Sequence, residues 1–169
     1  NDKPKYKWRS FMLDCSRHFS PMERIKKTLD ILATLKLNTF HWHLCDDQGW
    51  RIEIKKYPVL CEHGSIRKGT SPSALAASKG EYDEGEYGRG LYYTQDDARE
   101  IVAYAAARGI TVIPEIDVPG HATAIVSCMP ELSCTGESVD VDPRFGILEV
   151  SLCPAKQKVY DVLYDIFDE

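Results

Sequence analysis

Residues 41–50, HWHLCDDQGW, place two histidines, two adjacent aspartates and a tryptophan within ten positions. His41 and His43 alternate on a segment that reads as a strand, so both side chains fall on one face. Asp46 and Asp47 follow at its end. Two other short segments share this character. Asp14, Arg17 and His18 follow an apolar run at residues 11–13, and Asp117 and His121 follow another at residues 110–116. A carboxylate beside an imidazole is an acid–base pair able to hold a third group in position, a role open to Asp46 and His121. Arg17 offers a planar fork of donors suited to vicinal hydroxyls or a carboxylate. Trp50 is either core or a platform for the face of a sugar. Carboxylates are the abundant reactive groups, which suits glycoside chemistry.

A competing reading is metallic. H-x-H presents two imidazoles on one face, and His41, His43 and His121 with Asp117 would serve a metal-dependent, amidohydrolase-like hydrolase. His41 and His43 lie five and three residues before Asp46, however, deep in the strand, where a satisfied buried histidine is the ordinary outcome. A third reading is a non-catalytic carbohydrate-binding module. Taken singly, Arg17 is a surface arginine, Asp47 a turn cap and His121 a loop histidine. Three strand ends of the same character strain that plain account.

Positioning such groups calls for a parallel α/β framework, in which function collects at the C-terminal ends of strands. Residues 11–13 read as a short buried strand. Ser20-Pro21-Met22-Glu23 predicts a helix start, with Ser20 as N-cap, Pro21 at the first helical position and Glu23 placed for a capping box. Met22, Ile25, Leu29 and Leu32 fall at helical spacing, to about Lys36. Residues 37–44 form the second strand. Residues 51–93 are a long polar stretch in which residues 52–57 alternate like a short strand and residues 70–90 read as a mobile excursion. Thr94-Gln95-Asp96-Asp97 is a second capping signal. Ala98, Ile101, Val102 and Ala105 give that helix its apolar stripe, and Arg108-Gly109 stops it. Residues 110–116 form the third strand. Residues 154–169 form a helix with Val159, Val162, Leu163, Ile166 and Phe167 inward. It ends on Asp168-Glu169, the wrong sign for the negative end of a helix dipole, as expected of a cut in or just after a helix. Strand and helix thus alternate three times, which predicts a parallel sheet with helical crossovers. A complete (β/α)8 barrel takes about 250 residues, so the expectation is a partial one with about the first three βα units.

The 169 residues suffice for one domain with a real core, at 43% hydrophobic and 28% charged. A net charge of −5 argues against nucleic acid. No apolar run spans a membrane. No signal peptide is visible, since Asn1 opens into a polar, Lys-rich start. Six cysteines occur without a C-x-x-C pair, against a zinc ribbon or thioredoxin-type site. Buried thiols are the reading for most of them, Cys15 and Cys45 among them, with Cys128 and Cys134 as a possible bridge. No G-x-S-x-G elbow, P-loop or dinucleotide fingerprint is present.

The runs WRSFMLDCSRHFSP, NTFHWHLCDDQGWRIEIKKYP, YYTQDDAREIVAYAAARGITVIPEIDVPGH and PELSCTG resemble the β-N-acetylhexosaminidases of glycoside hydrolase family 20. The resemblance covers nearly the whole chain and is weakest at residues 70–90 and 137–150. It implies a (β/α)8 barrel that removes terminal β-linked N-acetylglucosamine or N-acetylgalactosamine from glycans, an EC 3.2.1.52-type activity, with retention and without metal or other cofactor. The substrate's own 2-acetamido oxygen is then the nucleophile. An adjacent Asp-Glu pair does the protein's part, Asp orienting the acetamido group and Glu acting as acid, then base. By the same resemblance Arg17 holds sugar hydroxyls, Asp46 and His121 support the catalytic Glu, and Asp117 steadies the catalytic Asp. The pair itself belongs to a Gly-Gly-Asp-Glu motif that residues 1–169 lack. Asp168-Glu169 has no such glycines and lies on a predicted helix. The expectation is an N-terminal portion of the domain, inactive alone, from a secreted, periplasmic or lysosomal parent.

Overall fold

In chain order the elements are β1 (Ser10–Asp14), α1 (Met22–Thr34), β2 (Thr39–Asp46), β3 (Gly49–Trp50), α2 (Val59–Glu62), β4 (Arg67–Thr70), α3 (Ala74–Ser78), β5 (Asp83–Tyr87), α4 (Gln95–Ala106), β6 (Thr111–Ile116), α5 (Thr123–Cys128), a 3-10 turn (Pro130–Leu132) and α6 (Gln157–Asp168). This is a computed structural model, and it describes residues 3–146 and 148–169. Among the described residues no helix is long and apolar enough to cross a membrane.

The fold is α/β. β2 is the central strand, rich in β-formers such as Thr39, Phe40 and Trp42. It pairs in parallel with β1 on one side and β6 on the other. Register sets Asp14 and Glu115 on either side of His43, in one row across the three strands. Phe40, Trp42 and Leu44 pack against Ile25, Leu29 and Leu32 of α1 and Ile101 and Ala105 of α4. By strand alternation His41 and His43 point to the opposite face. A second core joins Trp50 and Leu60 to Ile125, Val126 and Leu132 and to Val159, Val162 and Ile166 of α6.

The helix at Thr94 starts as its sequence predicts. The Thr94 side chain accepts from the Asp97 backbone N–H, and the Asp97 carboxylate accepts from the Thr94 backbone in return. Gly109 past its end takes φ 68°, the left-handed stop that a glycine adopts without a Cβ clash. The predicted cap at Ser20 is not made. α1 has no side-chain cap, its first turn closes on the Pro21 carbonyl, and the Ser20 carbonyl accepts from the Tyr93 hydroxyl at 2.6 Å. The helix ends at Thr34, short of Lys36, which takes φ 59°.

Residues 51–93 differ most from expectation. Residues 52–57 form no strand; Ile52 makes a single bridge to Tyr93. Residues 70–90 are built around an antiparallel hairpin of β4 and β5. Two buried arginines anchor it. Arg51 donates to the carbonyls of Ser16, Ser65 and Leu91, and Arg67 donates to those of Arg17, Gln48 and Gly69. The Arg67 guanidinium lies 4.1 Å from the centroid of the Tyr87 ring. Gly88 (φ 105°) passes so close to Ser65 that a Cβ would stand 1.8 Å from its carbonyl oxygen.

Two smaller expectations also change. Cys134 bridges Cys153, while the Cys128 thiol lies 3.3 Å from the Val59 carbonyl. Phe167 and Val102 are 64% and 50% exposed, so neither is an inward residue of its helix here. The Glu169 carboxylate, unfavourable to the dipole, accepts from the backbone N–H groups of Lys55 and Lys56.

Candidate active site

The three strand ends converge. After β1, one Asp14 oxygen accepts from the backbone N–H groups of Ser16 and Arg17, forming a side-chain-closed turn, and the other takes the Arg17 guanidinium at 2.9 Å. Arg17 then reaches Gln48 Oε1 at 2.7 Å and Asp46 Oδ2 at 2.7 Å. Its side chain is 24% exposed, and each guanidinium nitrogen has a partner.

Asp46 is the hub. Its side chain is 1% exposed, and both oxygens are engaged. Oδ2 accepts from Arg17 and lies 2.8 Å from His43 Nε2; Oδ1 accepts from the Asp47 backbone and lies 3.0 Å from His121 Nδ1. Burial opposes the charge on Asp46, but hydrogen bonds from His43 and the Asp47 backbone, with the positive Arg17, outweigh it and hold the carboxyl below its usual range. His121 follows β6 in the turn VPGH, with φ 52°, a backbone region sparsely used by side-chain-bearing residues. Its Nδ1 also lies 3.2 Å from Asp47 Oδ2.

His43 is buried and satisfied, as its depth in the strand predicts, and its partners join it to the network. Its Nδ1 lies 2.8 Å from Glu115 Oε2, which also takes His41 Nε2 at 2.6 Å. Both ring nitrogens of His43 therefore face carboxylates, as only the doubly protonated ring satisfies. Burial pushes the imidazolium down, but hydrogen bonds to Asp46 and Glu115 and the nearby Asp14 charge raise it to about 9.

The set of His41, His43, His121 and Asp117 does not come together as one cluster: His43 and Asp117 group with Asp46, and His121 groups with Asp46 and Asp47. His41 and His43 share Glu115, while His121 turns its Nδ1 to Asp46 and Asp47. Trp50 is 1% exposed and donates to the Ile52 carbonyl, so it is core and not a sugar platform. Asp117 is half-buried, its backbone N–H directed at Cys45 Sγ, and a carboxylate oxygen lies within 4.8 Å of ligand atoms of His43 and Asp46. His18 stands outside the carboxylate network, flanked by the rings of Tyr87 and Phe145. Burial and the Arg67 charge lower its pKa.

The model for the catalytic domain of glycosyl hydrolase family 20 matches residues 6–169. The chain belongs to glycosyl hydrolase family 20. It is 44% identical to a beta-hexosaminidase of Porphyromonas gingivalis over 168 residues, which are 99% of this chain and 20% of that protein. Among solved structures it resembles a Flavobacterium johnsoniae chitobiase (44% identity, TM-score 0.80, 98% of this chain and 22% of that one). It likewise resembles the Streptomyces plicatus N-acetyl-beta-hexosaminidase in complex with Thio-NAglucal (40% identity, TM-score 0.82, 98% and 30%). This family 20 chain thus spans between a fifth and a third of the length of these relatives.

Glu115 was not singled out in the sequence, although it stands two residues before Asp117, near the end of the predicted third strand. Gln48 and Arg67 were missed too. Their partners Arg144 and Arg17 come from loops whose approach no local pattern announces.

Proposed function

We propose that the chain is the N-terminal portion of a (β/α)8 catalytic domain, holding about the first three βα units. The full-length protein then removes terminal β-linked N-acetylhexosamine from glycans. The acetamido oxygen of the substrate attacks the anomeric carbon while a glutamic acid protonates the departing glycosidic oxygen. Water, activated by the same glutamate, opens the cyclic intermediate with net retention. That glutamate and its aspartate partner lie beyond these residues. Arg17 holds sugar hydroxyls, Asp46 and His121 position the glutamate, and Asp117 steadies the aspartate.

The observation that carries this reading is the buried Asp46 carboxylate bonded at once to Arg17 and His121. One carboxylate thereby ties the group suited to hydroxyls to the imidazole suited to an acid/base. Support also comes from the Streptomyces plicatus relative, a mutant of which was solved with its product GlcNAc. The barrel reading draws on an apolar groove of about 480 Å3 beside β6, lined by Trp42, Leu44, Val112, Val102, Ile166 and Phe167. The next βα unit would cover it.

The test compares aryl β-N-acetylglucosaminide with aryl β-glucoside, which lacks the acetamido nucleophile. The full-length protein should cleave the first and leave the second essentially intact. Equal rates, or a 169-residue chain that works near the full-length rate, would overturn the proposal.

A further inference from the structure

Building on the hydrolase reading above, we propose that His43 is a positioning residue for the reaction: its ring, held by Glu115, bridges to Asp46 and fixes the carboxylate that orients His121. The hydrogen bonds form one line, from His41 Nε2 to Glu115 Oε2 (2.6 Å), Glu115 Oε2 to His43 Nδ1 (2.8 Å), His43 Nε2 to Asp46 Oδ2 (2.8 Å) and Asp46 Oδ1 to His121 Nδ1 (3.0 Å). Imidazole and carboxylate alternate along it.

An aspartate carboxylate turns easily about its last torsion. Asp46 is prevented from turning because Oδ2 is shared by two donors, which leaves Oδ1 to His121 and the Asp47 backbone. Of the two donors on Oδ2, Arg17 is 24% exposed and His43 is 4% exposed. The buried ring is thus the more rigid clamp. With Asp46 fixed, His121 presents Nδ1 inward and leaves Nε2 for the acid/base.

The charges facing His43 come from every neighbouring element. β1 supplies Asp14, the loop after it Arg17, β2 supplies Asp46, β6 supplies Glu115, and the loop after β6 supplies Asp117. His41 and His121 act through Glu115 and Asp46. Arg17 and His43 are two cations on one carboxylate oxygen, and Glu115 balances the second of them.

The experiment measures pH profiles of kcat and kcat/KM for the full-length protein, His43→Gln and Glu115→Gln. In His43→Gln, kcat should fall at least about tenfold with KM within about twofold. Loss of a positive charge should move the basic limb upward by about half a unit or more. Glu115→Gln removes a negative charge while keeping an acceptor, so the limb should move downward. A residue with only a packing role would lower activity without shifting the limb, and still less in opposite directions. Unshifted limbs in both variants overturn the proposal. If His43→Gln fails to fold, Glu115→Gln decides alone: a downward shift supports the proposal and an unshifted limb overturns it. An inactive wild type would overturn the hydrolase reading and this proposal together; an active wild type with unshifted variants overturns this proposal alone.

Discussion

Asp47 reaches from the turn after β2 to the first residue of α5, where its Oδ1 accepts from the Thr123 backbone N–H at 3.0 Å and from the Thr123 hydroxyl at 2.6 Å. α5 has no side-chain cap from its own flank, so a remote carboxylate satisfies its first orphan donor. The other oxygen faces His121, and so the same residue seats both the helix and the imidazole before it.

Asp47→Ala should therefore destabilise the full-length protein by about 1–3 kcal/mol, as expected when a buried charge-assisted hydrogen bond is removed. Urea unfolding checks this. An unchanged midpoint would mean that the contact with Thr123 contributes nothing net.

Stability should fall at both ends of the pH scale. The pKa of His43 is raised from 6.5 to about 9, so its contribution is complete below pH 6.5 and is lost as pH rises through about 9. That of Asp46 is lowered from 3.8, so its contribution is complete above pH 3.8 and is lost as pH falls through the depressed value. Melting temperature against pH should show an alkaline decline that Glu115→Gln moves to lower pH, since Glu115 helps to raise His43. A decline that stays in place would contradict the assignment.

Arg67→Met should destabilise by at least about 1–3 kcal/mol, because it leaves the carbonyls of Arg17, Gln48 and Gly69 without their buried donor. Burial and the Arg51 charge lower the Arg67 guanidinium to about 10, which still leaves it charged at neutral pH. Since it holds the Arg17 backbone, KM should also rise. Denaturant unfolding and substrate titration of the one variant check both effects.

Local signals in the sequence read well. The Thr94–Asp97 capping box and the Gly109 stop involve residues close in the chain, so propensity and backbone chemistry suffice to find them. The alternation of strands and helices follows from apolar periodicity. The meeting of Asp46 with His121 was reachable because parallel strands deliver their ends to one side. The pairing of His43 with Glu115 was not, since it depends on register between strands 72 residues apart in sequence. The hairpin at residues 67–87 was hidden for a related reason. It is held by Arg51 and Arg67, and a polar, glycine-rich stretch reads as loose until those buried anchors are placed. Trp50, which its sequence leaves open between core and sugar platform, is core, because its burial depends on packing that its charged neighbours do not announce.

The most direct test is a crystal structure of the full-length protein with N-acetylglucosamine bound. The Arg17 guanidinium should lie within hydrogen-bonding distance of the sugar hydroxyls. His121 Nε2 should meet a glutamate from beyond Glu169, and Asp46 should touch His121 and Arg17 but not the sugar. A sugar seated away from Arg17, or an acid/base drawn from within these 169 residues, would contradict the account.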